Sequence, residues 1–419
     1  MASRDILKAL HVADFRWLWI GSLGSSFAMN MQIIARGWLI YTLTSSAMDL
    51  AWVTLSFMVP QVVLSLWGGV LADRMRKKHI IVTAQALNCL ATLVMAYIIF
   101  ADQVTFWHFI WFGFFNGSVL ALSMPARQAF VPELIPDRLI FTAMALNMTS
   151  WNLSRILGPA LAGFLIAWFA AGDTSSTYGV GIVYLMIAFL YFFAAVTALL
   201  VKQSGKIKPP DDKSPLTDVL DGLRYVRANP PVFGLILLSI VPFLFGMPLN
   251  TLLPAFNADI LGGGPDSLGL LMSSMGGGAI LGSLMLASMG ELKNKGTWLI
   301  ATCVAWGLVT TAFGSAQVVW LAASLVAGIG WLSAWNMSLN RGLLQMQVSG
   351  EMRGRIMSID MMSHGLMPLG VIPISLIAEY YSVALALEVT GVVFVLVVVG
   401  LALFAPSVRR VDENLQEPA

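Results

Sequence analysis

One short stretch, Gly69-Val-Leu-Ala-Asp-Arg-Met-Arg-Lys-Lys78, constrains the fold more than any other. It holds four cations and one carboxylate within six residues, between two apolar runs that are each long enough to cross a bilayer. A transmembrane helix needs about 20 apolar residues, and a cluster of charges cannot share that environment. The stretch therefore marks a membrane surface, and its excess of cations assigns that surface to the cytoplasmic side. Of the 419 residues, 58% are hydrophobic and 11% charged, whereas soluble domains carry about 25% charged residues. An all-α polytopic membrane protein is the class that fits.

Apolar runs of bilayer length recur twelve times. The first six lie at about 15–43, 50–71, 79–100, 105–125, 140–169 and 179–201. The second six lie at about 231–257, 267–288, 296–315, 317–343, 354–377 and 382–405. Of the 24 lysines and arginines, 22 fall on one side of this pattern, while loops 44–49, 101–104, 170–178, 258–266 and 379–381 contain none. This alternation puts both termini in the cytoplasm. The exceptions, Arg36 and Arg155, lie inside spans.

The expected organisation follows. A six-helix bundle occupies 1–202, a second occupies 231–405, and 406–419 form a cytoplasmic tail. Residues 203–230 are a cytoplasmic linker, rich in Pro, Asp and Lys, that ends in an amphipathic helix from Leu216 to Arg227. Arg4, Asp5 and Lys8 precede an apolar run too long for a cleaved signal peptide. Cys89 and Cys303 both sit in apolar segments, which argues against a disulfide framework and a metal site. The basic clusters are short and have no soluble domain to carry them, so no nucleic-acid partner is expected.

The chain repeats itself. Arg127 stands ten residues before Asp137 and Arg341 ten before Glu351, with Pro136 or Gly350 just ahead of the acid, and a span follows each. The two arginines are 214 positions apart, about half the chain. Two halves of the same orientation are thus expected, related by an axis along the membrane normal.

Gly69-x-Leu-Ala-Asp73-Arg74-x-x-Lys77-Lys78 resembles the loop between the second and third helices of the major facilitator superfamily, with Arg76 where that motif has glycine. Pro125-Ala-Arg-Gln-Ala-Phe-Val-Pro-Glu-Leu134, Ser154-Arg-Ile-Leu-Gly-Pro-Ala-Leu-Ala-Gly163 and Gly222-Leu-Arg-Tyr-Val226 with Asn229-Pro230 resemble, more narrowly, the bacterial exporters of enterobactin and macrolides. The resemblance implies two pseudo-symmetric six-helix bundles in the bacterial cytoplasmic membrane. It also implies a cytoplasmic gate built on Gly69, Asp73 and Arg74. Asp73 would meet the start of the eleventh span near Gly354, with Arg127 as partner, while Arg76, Lys77 and Lys78 set topology. Gly158-Pro159 with Gly163 would give the fifth helix the geometry of a proton-coupled exporter. On residues alone that triplet reads equally well as close helix packing around a kink.

The costly residues mark candidate sites. A mid-membrane arginine costs on the order of 3 kcal/mol on insertion scales, so it must face a partner, water or a cavity. Arg155 shares a helix face with Asn147 and Trp151, and Arg36 with Ser25 and Gln32. Both faces are candidate cavity walls that bias cargo toward anionic or polar groups; snorkelling or a structural pair is the plain alternative. Asn116, Trp335 and Asn336 fall in helices that line the cavity of related proteins, and interhelical hydrogen bonding would explain them equally. Asp360 and His364, four apart on the eleventh span, can take up and release a proton, or merely form a local pair. Glu388 is a further candidate for proton coupling.

No P-loop occurs, so no cofactor is expected and a proton gradient is the expected energy source. The reading is a monomeric secondary transporter, not an enzyme. It would export a small organic compound (siderophore, drug or amphiphilic metabolite) by alternating access and proton antiport. Import or facilitated exchange is the alternative within the class; a non-transporting membrane sensor or assembly partner is the alternative outside it.

Overall fold

A computed structural model describes residues 8–170, 177–206, 215–289 and 292–404; the side chains of 66, 215–219, 350, 351 and 364 also lie outside the described set. The described residues are helical almost throughout. In chain order the helices are α1 (Ala13–Thr44), α2 (Ala47–Arg74), α3 (Lys77–Phe100), α4 (Phe106–Leu134), α5 (Ile140–Ala170) and α6 (Tyr178–Leu200). Then follow α7 (Pro215–Ala228), α8 (Pro230–Val241), α9 (Leu249–Asp259), α10 (Pro265–Ser288) and α11 (Lys295–Gly314). The last are α12 (Val319–Gln347), α13 (Gly350–Met362), α14 (Met367–Tyr380) and α15 (Val383–Phe404).

Among the described residues, eleven segments are long and apolar enough to cross a membrane. The segment α1 is 32 residues long, and its serines, Asn30, Gln32 and Arg36 dilute its hydropathy. With it the count is consistent with the twelve expected crossings. The repeat reappears in geometry, since α4 and α12, which carry Arg127 and Arg341, are both 29 residues long.

Local chemistry sets several boundaries. Thr105 and His108 form a capping box that opens α4, with the Thr105 N–H donating to His108 Nδ1 at 3.0 Å. Pro230 sits in the first turn of α8 behind Asn229, where its missing N–H is harmless. Two crossings expected to be continuous are broken. A π turn, Pro242–Gly246, separates α8 from α9, and a 3-10 turn, Ser363–Leu366, separates α13 from α14. Pro248 cannot donate to the Leu244 carbonyl, nor Pro368 to that of His364, so the α pattern fails there.

The chain divides into two compact units. The first holds α1, α3 to α6, α2 from Trp52 onward, and Gly263–Ser273 around the start of α10. The second holds α7 to α9, α11 to α15, the rest of α10, and Ser46–Ala51 around the start of α2. The expected boundaries at 202, 230 and 405 mark chain connectivity and are a different partition from these clusters.

In the first unit the end rich in cations is stitched by charge-assisted bonds. Lys77 is fully buried, its Nζ 2.9 Å from Glu133 Oε1, and it also donates to the Lys206 carbonyl. Lys78 donates to the carbonyls of Leu199 and Val201 at the end of α6, where the helix dipole favours a cation. Asp14 accepts from the N–H groups of Lys202 and Gln203. Lys77 and Lys78 therefore do more than set topology. In the second unit α7 packs its Val226 side into a core with Val232, Leu235, Ile356 and Ile359, while Leu220 and Leu223 stay exposed. At helix ends remote from the cations, Trp52, Trp107, Trp168, Trp320, Tyr380 and Tyr381 are exposed, as aromatic side chains are at a membrane interface.

Candidate functional site

Within the second unit a small pocket of about 10 Å³, room for about one water, is lined by Ser239, Pro242, Phe243, Met247, Asn336, Met337, Asn340, Arg341 and Asp360. Three pieces build it: the end of α8 with its π turn, one face of α12, and Asp360 of α13. Asp360 is buried, 2% exposed. Its Oδ1 accepts from Ser239 Oγ at 2.5 Å, and its Oδ2 lies 3.4 Å from Arg341 Nε. Asn336 donates to Cys303 Sγ at 2.8 Å, and Asn340 donates to the Leu235 carbonyl while its own Oδ1 is left without a partner. The carboxylate is thus held by one cation and one hydroxyl, beside the pocket.

Among the described residues the partners of Asp360 are Arg341 and Ser239, and the expected partner His364 has its side chain outside the described set. The 3-10 turn at Ser363 ends the α-helical face the two were to share. Arg341, the repeat partner of Arg127, is the group that meets Asp360. Glu388 stands apart from the pocket. It is half-buried on α15 and packs where a Cβ on Gly314 would sit, at the end of α11.

Within the first unit, Arg36 lies with its Cζ 5.3 Å from the centre of the Phe57 ring, a cation–π arrangement. Arg127 donates to Ser25 Oγ at 3.0 Å. Both guanidinium charges act on the buried Tyr191 hydroxyl, and Arg36 acts also on Tyr184. Gln32 is 4% exposed and its Nε2 has no partner. Asn116 donates to Asn88 Oδ1 at 3.0 Å and is within hydrogen-bonding reach of Tyr191. Helices α1, α2, α3, α4 and α6 thus contribute to one polar cluster.

Asn147, Trp151 and Arg155 follow one face of α5, with Trp151 36% exposed and the other two half-buried. No carboxylate pairs with Arg155 among the described residues. Trp335 donates its indole N–H to the Gly282 carbonyl at 2.7 Å and meets Trp298 and Trp331 edge-on.

The gate residues divide. Asp73 and Arg74 are exposed at the end of α2, and Arg127 turns to Ser25 rather than to Asp73. Gly69 faces open space, whereas its neighbour Gly68 packs on the Ala121 carbonyl of α4. In α5, Gly158 packs on Asn30 of α1, the Pro159 carbonyl abuts Gly269, and Gly163 presses on the Pro265 carbonyl and Gly269 of α10. Ser273 donates to the Ile156 carbonyl at 2.7 Å along the same seam. The tyrosines at 184 and 191 were missed by sequence reasoning. Their signal was a seven-residue spacing in an otherwise apolar helix.

A multi-crossing helical fold with charged side chains inside its helix bundles and a buried carboxylate beside a pocket is that of a membrane transporter. The architecture superposes on a solved nucleoside transporter, NupG, with a TM-score of 0.73 at 15% identity, over 94% of this chain and 98% of that one. The fold is therefore of the major facilitator type. The chain belongs to the transmembrane secretion effector family, MFS_3, whose profile it matches over residues 6–419.

Its sequence is similar to the staphyloferrin A transporter of Staphylococcus aureus, 26% identical over 384 residues and 89% of each chain. It is also similar to macrolide efflux protein A of Streptococcus pyogenes, 23% identical over 87% of this chain and 89% of that one. A third relative is the enterobactin exporter EntS of Shigella boydii serotype 4, 26% identical over 80% of this chain and 76% of that one. The expected resemblance to siderophore and drug exporters is borne out.

Proposed function

We propose that this protein exports a small organic compound from the cytoplasm by alternating access, with proton antiport as the energy source. The observation that carries the reading is Asp360, a buried carboxylate beside a cavity and held by Arg341 and Ser239. Proton uptake at Asp360 would loosen its pairing with Arg341, and proton release would restore it. That exchange gives the cavity two electrostatic states, which is what antiport needs. The relatives named for staphyloferrin A, macrolides and enterobactin favour a siderophore, drug or amphiphilic metabolite as cargo. The cation alternation favours cytoplasmic termini in a bacterial cytoplasmic membrane. A monomer suffices for the mechanism, with cargo, protons and lipid as its partners.

The test is flux in proteoliposomes under an imposed pH gradient, with family cargoes as probes. Wild type should move cargo against proton flow, and Asp360→Asn should uncouple the two. Cargo flux that ignores the gradient in wild type would leave facilitated exchange instead. Specific cargo binding with no flux would leave a sensor.

A further inference from the structure

In the first unit two half-buried arginines, Arg36 and Arg127, lie within helices and meet no carboxylate among the described residues. Across residues 15–43, 50–71, 79–100, 105–125, 140–169 and 179–201 there is no aspartate or glutamate, and Glu133, which follows Arg127 on α4, is engaged by Lys77. Arg36 and Arg127 lie in its helices, and among the described residues the partners they show are neutral: the Phe57 ring and the Ser25 hydroxyl. A guanidinium withdrawn from water is expensive unless an anion meets it.

The neutral groups around them share one property. Gln32 Nε2 and the Tyr184 hydroxyl are both buried without a hydrogen-bond partner, at 4% and 0% exposure. A free amide N–H and a free phenolic O–H are donors, and so is every N–H of a guanidinium. Ser25, Gln32 and Arg36, seven and then four residues apart, share one face of α1. Arg127 comes in at the Ser25 end of that face. Arg36 and Arg127 are thus two cationic ends of a donor stripe with buried, unfilled capacity between them. Its complement is a ligand rich in acceptor oxygens and carrying negative charge. Guanidinium and carboxylate match as planar, two-pronged partners.

We propose that Arg36, Arg127, Gln32 and Tyr184 form a recognition site for the carboxylate groups of an acidic, multiply charged cargo. The inference rests on the export reading and narrows its cargo class. Arg155, on another helix, is not part of the site.

The test is equilibrium binding, without any gradient, to the full chain in lipid nanodiscs of zwitterionic lipid. The probe is citrate, with its neutral triethyl ester and sodium chloride of equal ionic strength as controls. Wild type should bind citrate saturably, and neither control should bind or compete. Arg36→Gln should weaken citrate about tenfold or more, the scale of one lost charge-assisted pair. Arg36→Lys, which keeps the charge but loses the fork, should fall between. Gln32→Leu and Tyr184→Phe should each weaken binding about threefold or more. They remain informative if Arg36→Gln fails to fold, as judged by elution profile and thermal unfolding.

Absence of saturable citrate binding by folded wild type overturns the proposal. So does equal binding of the triethyl ester, or unchanged affinity in all the folded variants. The two readings fail separately. If proton-driven flux of an uncharged compound persists while citrate does not bind, the carboxylate site falls and the exporter stands. If citrate binds but nothing is transported, the reverse holds.

Discussion

Lys77 Nζ lies 2.9 Å from Glu133 Oε1, and the lysine side chain is 1% exposed. The pair joins the first turn of α3 to the last turn of α4, while Glu133 also accepts the Lys206 N–H at 2.8 Å. Removing one member strands the other. Lys77→Ala should destabilise the protein by about 3 kcal/mol, toward the low end for a broken buried pair because Glu133 is 18% exposed. Lys77→Met combined with Glu133→Gln should recover most of that loss. Thermal unfolding in detergent checks both; a Lys77→Ala melting temperature equal to wild type would mean the pair contributes nothing.

Arg341 and Asp360 offer a test that separates stability from coupling. Arg341→Gln leaves Asp360 buried with Ser239 alone and should cost about 1–3 kcal/mol, the smaller figures allowing for Arg341 being 41% exposed. Adding Asp360→Asn should restore stability but not proton-coupled flux. Recovery of both by the double variant would remove Asp360 from the coupling mechanism.

Gly163 of α5 has no room for a side chain against the Pro265 carbonyl and Gly269 of α10. A methyl there forces the two backbones apart. Gly163→Ala should cost about 1–3 kcal/mol and slow transport, and Gly163→Leu should do more of both. Transport and melting temperature unchanged in Gly163→Leu would show the seam to be soft.

Asn116 was expected to touch cargo, and its amide is already engaged by Asn88. Asn116→Leu alone should lower stability by about 1–3 kcal/mol, since it leaves the Asn88 carbonyl oxygen buried without its donor. Paired with Asn88→Leu, it should be nearly neutral. If cargo affinity also returns in the double variant, the pair is structural; if affinity stays low while stability returns, Asn116 contacts cargo.

Sequence reading reached the elements whose cause is local. Crossings announce themselves by hydropathy, orientation by the cation pattern, and the Ser25–Gln32–Arg36 face by helical spacing. Partnerships between distant residues were out of its reach. Lys77 looked like one more cation in a surface run, because nothing near it in sequence shows that Glu133 will meet it. Asp360 and His364 stand four apart, and nothing near them in sequence shows that Arg341 will meet the carboxylate or that a 3-10 turn begins at Ser363. The repeat had already singled out Arg341, but a repeat says which positions correspond, not which side chains touch. Tyr184 and Tyr191 hid in an apolar run whose hydropathy they hardly alter.

The interrupted crossings have one more consequence. Gly370 of α14 abuts the Leu244 carbonyl in the π turn, the carbonyl to which Pro248 cannot donate. The two irregular crossings of the second unit therefore meet close to their irregularities. An unbroken helix resists bending because each degree of bend strains a full ladder of hydrogen bonds. Here part of the ladder is already missing on both sides, so bending at this spot strains fewer bonds than bending elsewhere along these crossings. The pocket around Asp360 lies beside it, with Pro242 and Phe243 of the π turn in its wall. The carboxylate therefore sits next to the part of the scaffold whose backbone hydrogen bonding is least complete, as a handle sits next to a pivot.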